Sequence, residues 1–419
     1  MWGGTRTRLA KRSAMPRLGT IPLVGERNDE AAGAAFQLSS PATRNAILPI
    51  EGAEIEVRNR QPYVVVRFTG PQDAITAFAK GHKFAQQGLD LLCVLGTQDA
   101  VIHDAEDEHL LWWTEPAGLV LRLVSTTSLK FAASPVTLTV RDKDGNLVPP
   151  APSHPRHHIS FRYYRLAQTT DDLFDAYRNM YLAFEALLSS QHPKSEGEWE
   201  VVWLRRALKA ATNTIQLGDL GVSPGHDLVE SVVDAVYRDA RLPLFHAKEG
   251  RGYFAPQDSA SSRQVVSRAL DVLTHIVLRM AEAWYDVRRM GGGVFFGWVY
   301  DNATAQLAEC YVYATSYDGP FDPCEHDLSH PRFQTAAKLP SRLAPELQRG
   351  PEPALFAAAN GVDLSLVKPV RRIEVVKSDH PYIAQILDAE LELEGVARFE
   401  VLMHIRVMNL NQPRSLFRK

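Results

Sequence analysis

Two hydrophobic periods divide the chain. From Asn45 to about Leu147, apolar and polar residues alternate over short runs, which is the pattern of half-buried strands. Ala46–Arg58 and Tyr63–Thr69 are rich in branched residues, and Leu110–Trp113, Gly118–Leu129 and Pro135–Val140 continue the alternation. One stretch breaks it: Pro71-Gln-Asp-Ala opens a helix with Ile75, Phe78, Ala79 and Phe84 on one face. Asp144-Gly145 is a hairpin-type turn. Residues 31–148 therefore read as an α+β domain with a mostly antiparallel sheet.

From Phe161 to Met290 the period lengthens to that of amphipathic helices. Thr169/Thr170 with Asp171-Asp172 form a helix start, followed by the stripe Leu173, Tyr177, Met180/Tyr181, Phe184, Leu187/Leu188. A second helix carries Trp199, Val202, Trp203, Leu204 and Leu208. A third, opened by Ser223-Pro224, carries Leu228/Val229, Val232/Val233 and Val236. The longest spans Asp258–Arg289. Four such helices over residues 159–290 predict a bundle. A proline-rich linker at 149–158 precedes it, with His154, His157 and His158 expected to be solvated there and not ligands. After Gly291-Gly-Gly, strands are expected at Val294–Tyr300, Thr304–Thr315, Ile373–Val376, Leu391–Glu394 and Phe399–Met408, with one helix at Tyr382–Ala389. Residues 291–419 thus read as a β-rich C-terminal unit, or as strands returning to complete the first sheet.

Composition narrows the function classes. With 419 residues, 45% hydrophobic and 23% charged, the chain is a soluble multidomain protein. A net charge of −3 excludes a globally basic nucleic-acid binder but leaves room for a local basic pocket. Three scattered cysteines make no disulfide framework and favour a reducing compartment, and no apolar run is long enough to span a bilayer. The expected location is cytoplasmic. Residues 1–30 read as a basic disordered tail with no acid before Glu26, or as an over-extended start ahead of Met15. Cys310, Cys324, His326 and His330 lack the spacing of a zinc site, so no metal and no cofactor are expected. Trp112 and Trp113, adjacent in a strand, should point to opposite faces, one buried and one exposed.

The chemistry concentrates at Arg241-Leu-Pro-Leu-Phe-His246-Ala-Lys248, between the third and fourth helices. Pro243 is expected to break the helix there, leaving both side chains at the mouth of the bundle. A guanidinium that cannot deprotonate clamps a phosphate, and an imidazole moves a proton near neutral pH. With Arg238, Lys248 and Arg251 as further positive charge, this is the minimum set for cutting a phosphodiester without a metal. The same residues also suit a helix C-terminus, with His246 capping and Arg241 and Lys248 solvating carbonyls. Arg268 with His275 and Arg398 with His404 offer similar spacings without the basic surroundings.

The four-helix pattern with Arg241 and His246 resembles the HEPN superfamily, whose RNases carry an arginine and a histidine separated by four to six residues. Phe245-His-Ala-Lys248 and Phe184-Glu-Ala-Leu-Leu188 look most like the branch around the methylamine-utilisation protein MauJ, over about residues 40–290. The resemblance implies a homodimer with a composite site and a metal-independent endoribonuclease acting on RNA in stress response or defence. Arg241 would clamp the scissile phosphate and His246 relay protons. Apart from the resemblance, the residues themselves suggest that Lys248, Arg238 and Arg251 bind substrate, and that Glu185, inside an otherwise apolar stretch, either holds the Arg241 guanidinium in place or sits on the solvent face. Active members carry a polar residue after the arginine, where this chain has Leu242. A non-catalytic dimerisation, ligand-binding or operon-accessory protein is the alternative.

Overall fold

The computed structural model describes residues 15–24, 32–70, 73–131, 140–148, 154–170, 172–217, 227–246, 252–256, 260–287, 296–317, 319, 336–349, 352–360, 364, 367–377 and 380–409. In chain order the first elements are β1 (Arg17–Leu18), β2 (Ile21–Pro22), β3 (Ala32–Gln37), β4 (Ala46–Ile50), β5 (Ala53–Val57) and β6 (Tyr63–Phe68). Then come α1 (Ala74–Val94), β7 (Glu108–Glu115), β8 (Gly118–Phe131) and the short strands β9 (Val140–Arg141) and β10 (Leu147–Val148). The helical stretch holds α2 (Ser160–Thr169), α3 (Leu173–Gln191), α4 (Glu200–Ala211), α5 (Leu228–Val233), α6 (Leu242–Phe245) and α7 (Ala260–Tyr285). The chain closes with α8 (Phe296–Leu307), β11 (Tyr311–Thr315), β12 (Ala336–Leu339), β13 (Ser341–Leu343), β14 (Ala354–Asn360), β15 (Val370–Lys377), β16 (His380–Glu392) and β17 (Val396–Asn409). These form two compact units, one from Met1–Leu129 with Phe296–Val407 and one from Lys130–Phe295 with Met408–Lys419.

The first unit is built on a nine-stranded sheet, β13-β14-β17-β8-β7-β3-β6-β5-β4, and a six-stranded sheet, β12-β11-β15-β16-β1-β2. All the strand pairs with a described register are antiparallel, as the alternating pattern predicts. The C-terminal strands do not stand apart: β14 and β17 extend the sheet begun by β3–β8, so the second arrangement left open by the sequence is the one adopted. Part of the expected basic tail is ordered as well. β1 and β2 form a hairpin on β16, with Leu18, Ile21 and Leu23 buried.

Three expectations are corrected here. Tyr382–Ala389 lies inside β16 and is not helical. Its alanines, glutamine and leucine favour a helix locally, but pairing with β15 sets a period of two that buries Ile383 and Leu387. Where strands are expected, the described residues Phe296–Tyr300 and Thr304–Leu307 lie in α8, and β11 begins only at Tyr311. Trp112 and Trp113 are both buried, because both faces of the nine-stranded sheet are covered. Trp112 joins the core that includes the six-stranded sheet, and Trp113 packs in the core under α1. The expected strand at Pro135–Val140 lies almost wholly outside the described residues.

Helix α1 starts where the sequence places it: the Asp73 carboxylate accepts from the Thr76 N–H at 2.8 Å. Its buried face is Ala77, Gly81, His82, Ala85, Gly88, Leu89 and Leu92, whereas Ile75 is exposed. In the sheet beneath, Gly33 of β3 faces Trp112. A Cβ there would meet the indole at 2.1 Å and the Val66 carbonyl oxygen at 2.3 Å.

The second unit packs α2–α7 around one core, with Tyr177, Phe184, Trp203, Leu208, Leu270 and Met280 at its centre. The capping signal before α3 holds, with Asp172 accepting from Asp175 N–H. Ser223-Pro224 lies outside the described residues, and Asp227 caps α5 through the Val229 N–H. The described end of the linker is exposed at His154 and His157 and bonds to the end of α7. Arg156 donates from its backbone to the Tyr285 carbonyl at 2.9 Å and from its guanidinium to the Trp284 carbonyl, so a cation satisfies the end of α7. β9 and β10 form the hairpin expected at Asp144-Gly145.

Since no rotamer of Trp112 relieves a clash with a backbone oxygen, Gly33→Ala is expected to destabilise the protein by about 2–3 kcal/mol. Urea denaturation followed by tryptophan fluorescence measures this, and an unchanged midpoint would show that β3 and β6 can separate freely.

Candidate functional site

The third helical run carries the residues of interest, and it does not break at Pro243. From α5 it widens into a π-helix over Asp234–Arg241 and then continues as α6 to Phe245. The Leu242 N–H donates to the Tyr237 carbonyl five residues back, the π pattern itself. A proline ring removes one donor and crowds the carbonyl four residues earlier; a wider turn ahead of it relieves that crowding. The Tyr177 hydroxyl, from α3, donates to the Val236 carbonyl within the widened segment. Eight residues of π-helix is long for a conformation that mostly occurs as single turns at functional sites.

Arg241 ends this segment and turns inward. Its Nη2 lies 3.0 Å from Glu200 Oε1, with the two side chains 18% and 23% exposed. The guanidinium carbon stands 5.4 Å from the Tyr181 ring centre, 5.1 Å from Tyr237 and 5.3 Å from Phe245, a three-sided aromatic cage. Arg241 Nε is buried with no hydrogen-bond partner. The Tyr181 hydroxyl donates to the same Glu200 oxygen at 3.2 Å. Burial raises the Tyr181 and Tyr177 phenols far above their ordinary range, so both remain neutral donors. Glu200 also lines an open concavity of ≈ 650 Å³ formed by Lys194–Glu200.

The remaining predicted residues are distributed unevenly. Glu185 is half-buried, and burial, then the Glu200 charge, push its carboxyl upward while Arg241 pulls it down. It senses the site but does not hold the guanidinium; that ion pair belongs to Glu200. Arg238 pairs with Asp234, with Glu230 further off at 3.9 Å, and is well exposed. His246 ends α6 with an exposed ring, and among the described residues no hydrogen bond or ring contact joins it to Arg241. Lys248 and Arg251 lie outside the described residues. Glu200 escaped the sequence reading because an acid in the first turn of a helix is routine there.

The two other arginine–histidine spacings lead nowhere. His275 is exposed on α7, with Nδ1 on the Asp271 carbonyl. His404 is buried in β17 with both ring nitrogens unpartnered, and burial lowers its pKa to about 3. Arg398 pairs with Glu115 and Glu400. Among the described residues no group of three or more histidines, cysteines and acids could hold a metal; Cys324, His326 and His330 fall outside them.

Residues 160–282 match the family model of methylamine utilization protein MauJ. The match begins at the start of α2 and ends within α7, so it contains Glu185, Glu200, Arg241 and His246. It supports a MauJ-like assignment for the helical unit. No curated protein and no solved structure matches the chain.

The Arg241–Glu200 pair of this MauJ-like stretch is expected to be a brace between α4 and the π segment. Arg241→Ala should lose about 2–3 kcal/mol, more than Glu200→Gln, because truncation empties the aromatic cage and strands the carboxylate. A double-mutant cycle in urea should yield a coupling of ~1 kcal/mol or more; additive losses would show that the two residues act separately.

Proposed function

We propose that the chain is a MauJ-like binding and accessory protein whose helical unit is a HEPN-type module working through self-association. The observation that carries this reading is a pairing of opposites at one place. Arg241 is satisfied internally by Glu200 and three rings, while the residues around the pair present apolar surface. Trp199 is 80% and Val202 49% exposed, one turn apart at the start of α4, and Phe245 remains partly exposed beside the guanidinium. Exposed aromatics around a desolvated ion pair suit a partner surface better than a cleavage centre. The partner is taken to be a second copy, as in the HEPN pattern. The description of the matched family as a methylamine utilization protein favours an accessory role in that setting.

A second reading, a metal-independent endoribonuclease of stress response or defence, is favoured by one observation. Arg241 and His246 end the same helical run, with the raised carboxyl of Glu185 nearby. In that reading Arg241 leaves Glu200 to clamp a scissile phosphate and His246 relays protons, with Arg238, Lys248 and Arg251 guiding RNA. Leu242 in place of a polar residue weighs against it.

Two measurements separate the readings. Sedimentation of the full chain should give a dimer that Trp199→Glu converts to monomer; a wild-type monomer, or a variant that still dimerises, removes the self-association reading. Labelled single-stranded RNA incubated with the protein in EDTA should remain intact. Cleavage leaving cyclic-phosphate ends, lost in Arg241→Ala and His246→Ala, would establish the nuclease instead.

A further inference from the structure

In the first unit, one end of the space between the two sheets holds negative charge with nothing to balance it. Glu108 of β7 accepts from the Tyr63 hydroxyl at 2.9 Å and from the Gln385 side-chain amide at 3.4 Å, both neutral donors. Asp388 on β16 accepts from the neutral Gln37 amide. Among the described residues neither carboxylate forms an ion pair with a cation. His109, which borders the same space, does not supply one: its Nδ1 is on the Ala105 carbonyl, and burial holds its pKa well below the ordinary value.

Polar groups without partners also accumulate there. Ser125 is 1% exposed, and its hydroxyl has no hydrogen-bond partner. It stands directly opposite Glu108 in the β7–β8 ladder, so both side chains project from the same face. Gln385 Oε1 is buried and likewise unpartnered. Native interiors rarely leave such groups unsatisfied, and each one calls for something to bond. The adjoining cavity is walled by Leu18, Leu110, Leu123, Leu387 and Leu391, with Tyr63 and Glu108 at its polar end. Its volume of ≈ 10 Å³ admits one water-sized centre.

We infer that this end of the sandwich binds the ammonium ion. The ion has only N–H donors, which match a carboxylate, an amide oxygen and a hydroxyl whose lone pairs can all accept. Its positive charge balances Glu108, and its size matches the single water-sized space beside the leucines. Burial that drives the Glu108 carboxyl upward is what a carboxylate separated from its cation should show. A metal ion lacks the ligands, since no three suitable side chains converge among the described residues. The inference is independent of the reading given to the helical unit.

The test is calorimetry and thermal melting of the full chain with ammonium chloride, against methylammonium, potassium, sodium and tetramethylammonium chloride at equal ionic strength. Ammonium should bind saturably and raise the melting temperature by several degrees; methylammonium, too large for the space, should bind at least tenfold more weakly, and tetramethylammonium, which has no N–H, should do neither. Glu108→Gln should weaken binding at least tenfold, and Ser125→Ala about threefold to tenfold. Equal effects of all the salts would overturn the site, and equal effects of potassium and ammonium would overturn its N–H selectivity. Should Glu108→Gln fail to fold, undiminished binding in Ser125→Ala would overturn it as well.

Discussion

The fold of the first unit depends on one long-range pairing. β17, from the last part of the chain, lies between β14 and β8 and joins the C-terminal strands to those that precede the helical stretch. Arg122 of β8 reaches Glu400 of β17 at 2.7 Å, and Arg398 of β17 reaches Glu115 of β7 at 2.7 Å, so ion pairs reinforce the seam. Without it β13 and β14 would have no sheet to join. The whole helical unit is therefore an excursion of the chain between two strands that must meet. Closing so long a loop precedes any reward from the contacts it allows, which makes this seam a late event in folding.

The helical unit is organised around a local irregularity. A run of helix has to pass Pro243, and it does so through a widened segment whose carbonyl at Val236 is met by Tyr177. That widening places Arg241 against α3 and α4 rather than in solvent. An arginine so placed needs a carboxylate and something to cover its faces; Glu200 and the rings of Tyr181, Tyr237 and Phe245 provide them. The chemistry available at Arg241 is thus set by whether Glu200 stays. A closed pair braces the unit, while an opened one exposes a cation beside a half-buried acid.

Much of the fold was legible wherever local preference and tertiary demand agree. The α1 cap, the α3 cap, the Asp144-Gly145 hairpin and the stripe of α3 all follow from residues that bond or pack with near neighbours, whereas Trp199 and Val202 of the expected α4 stripe are exposed. The misses fall where distant partners decide. Tyr382–Ala389 has helix-forming residues yet lies in a strand, because β15 supplies a ladder. Arg17–Pro22 looks like tail yet becomes a hairpin, because β16 offers an edge. At the site, Arg241 and His246 were legible as residue types, whereas Glu200 was not: nothing in sequence links it to a residue on another helix.

By itself the sequence determined the class of most segments, the positions of several caps and turns, and the residues able to carry charge or protons. These depend on periodicity and side-chain chemistry, which are local properties. Only the tertiary structure decided which strands share a sheet, that both adjacent tryptophans are buried, that Pro243 is passed rather than obeyed, and that Arg241 faces Glu200 instead of His246. Those outcomes depend on contacts between residues far apart in the chain. There burial and charge pairing outweigh the preferences of any single segment.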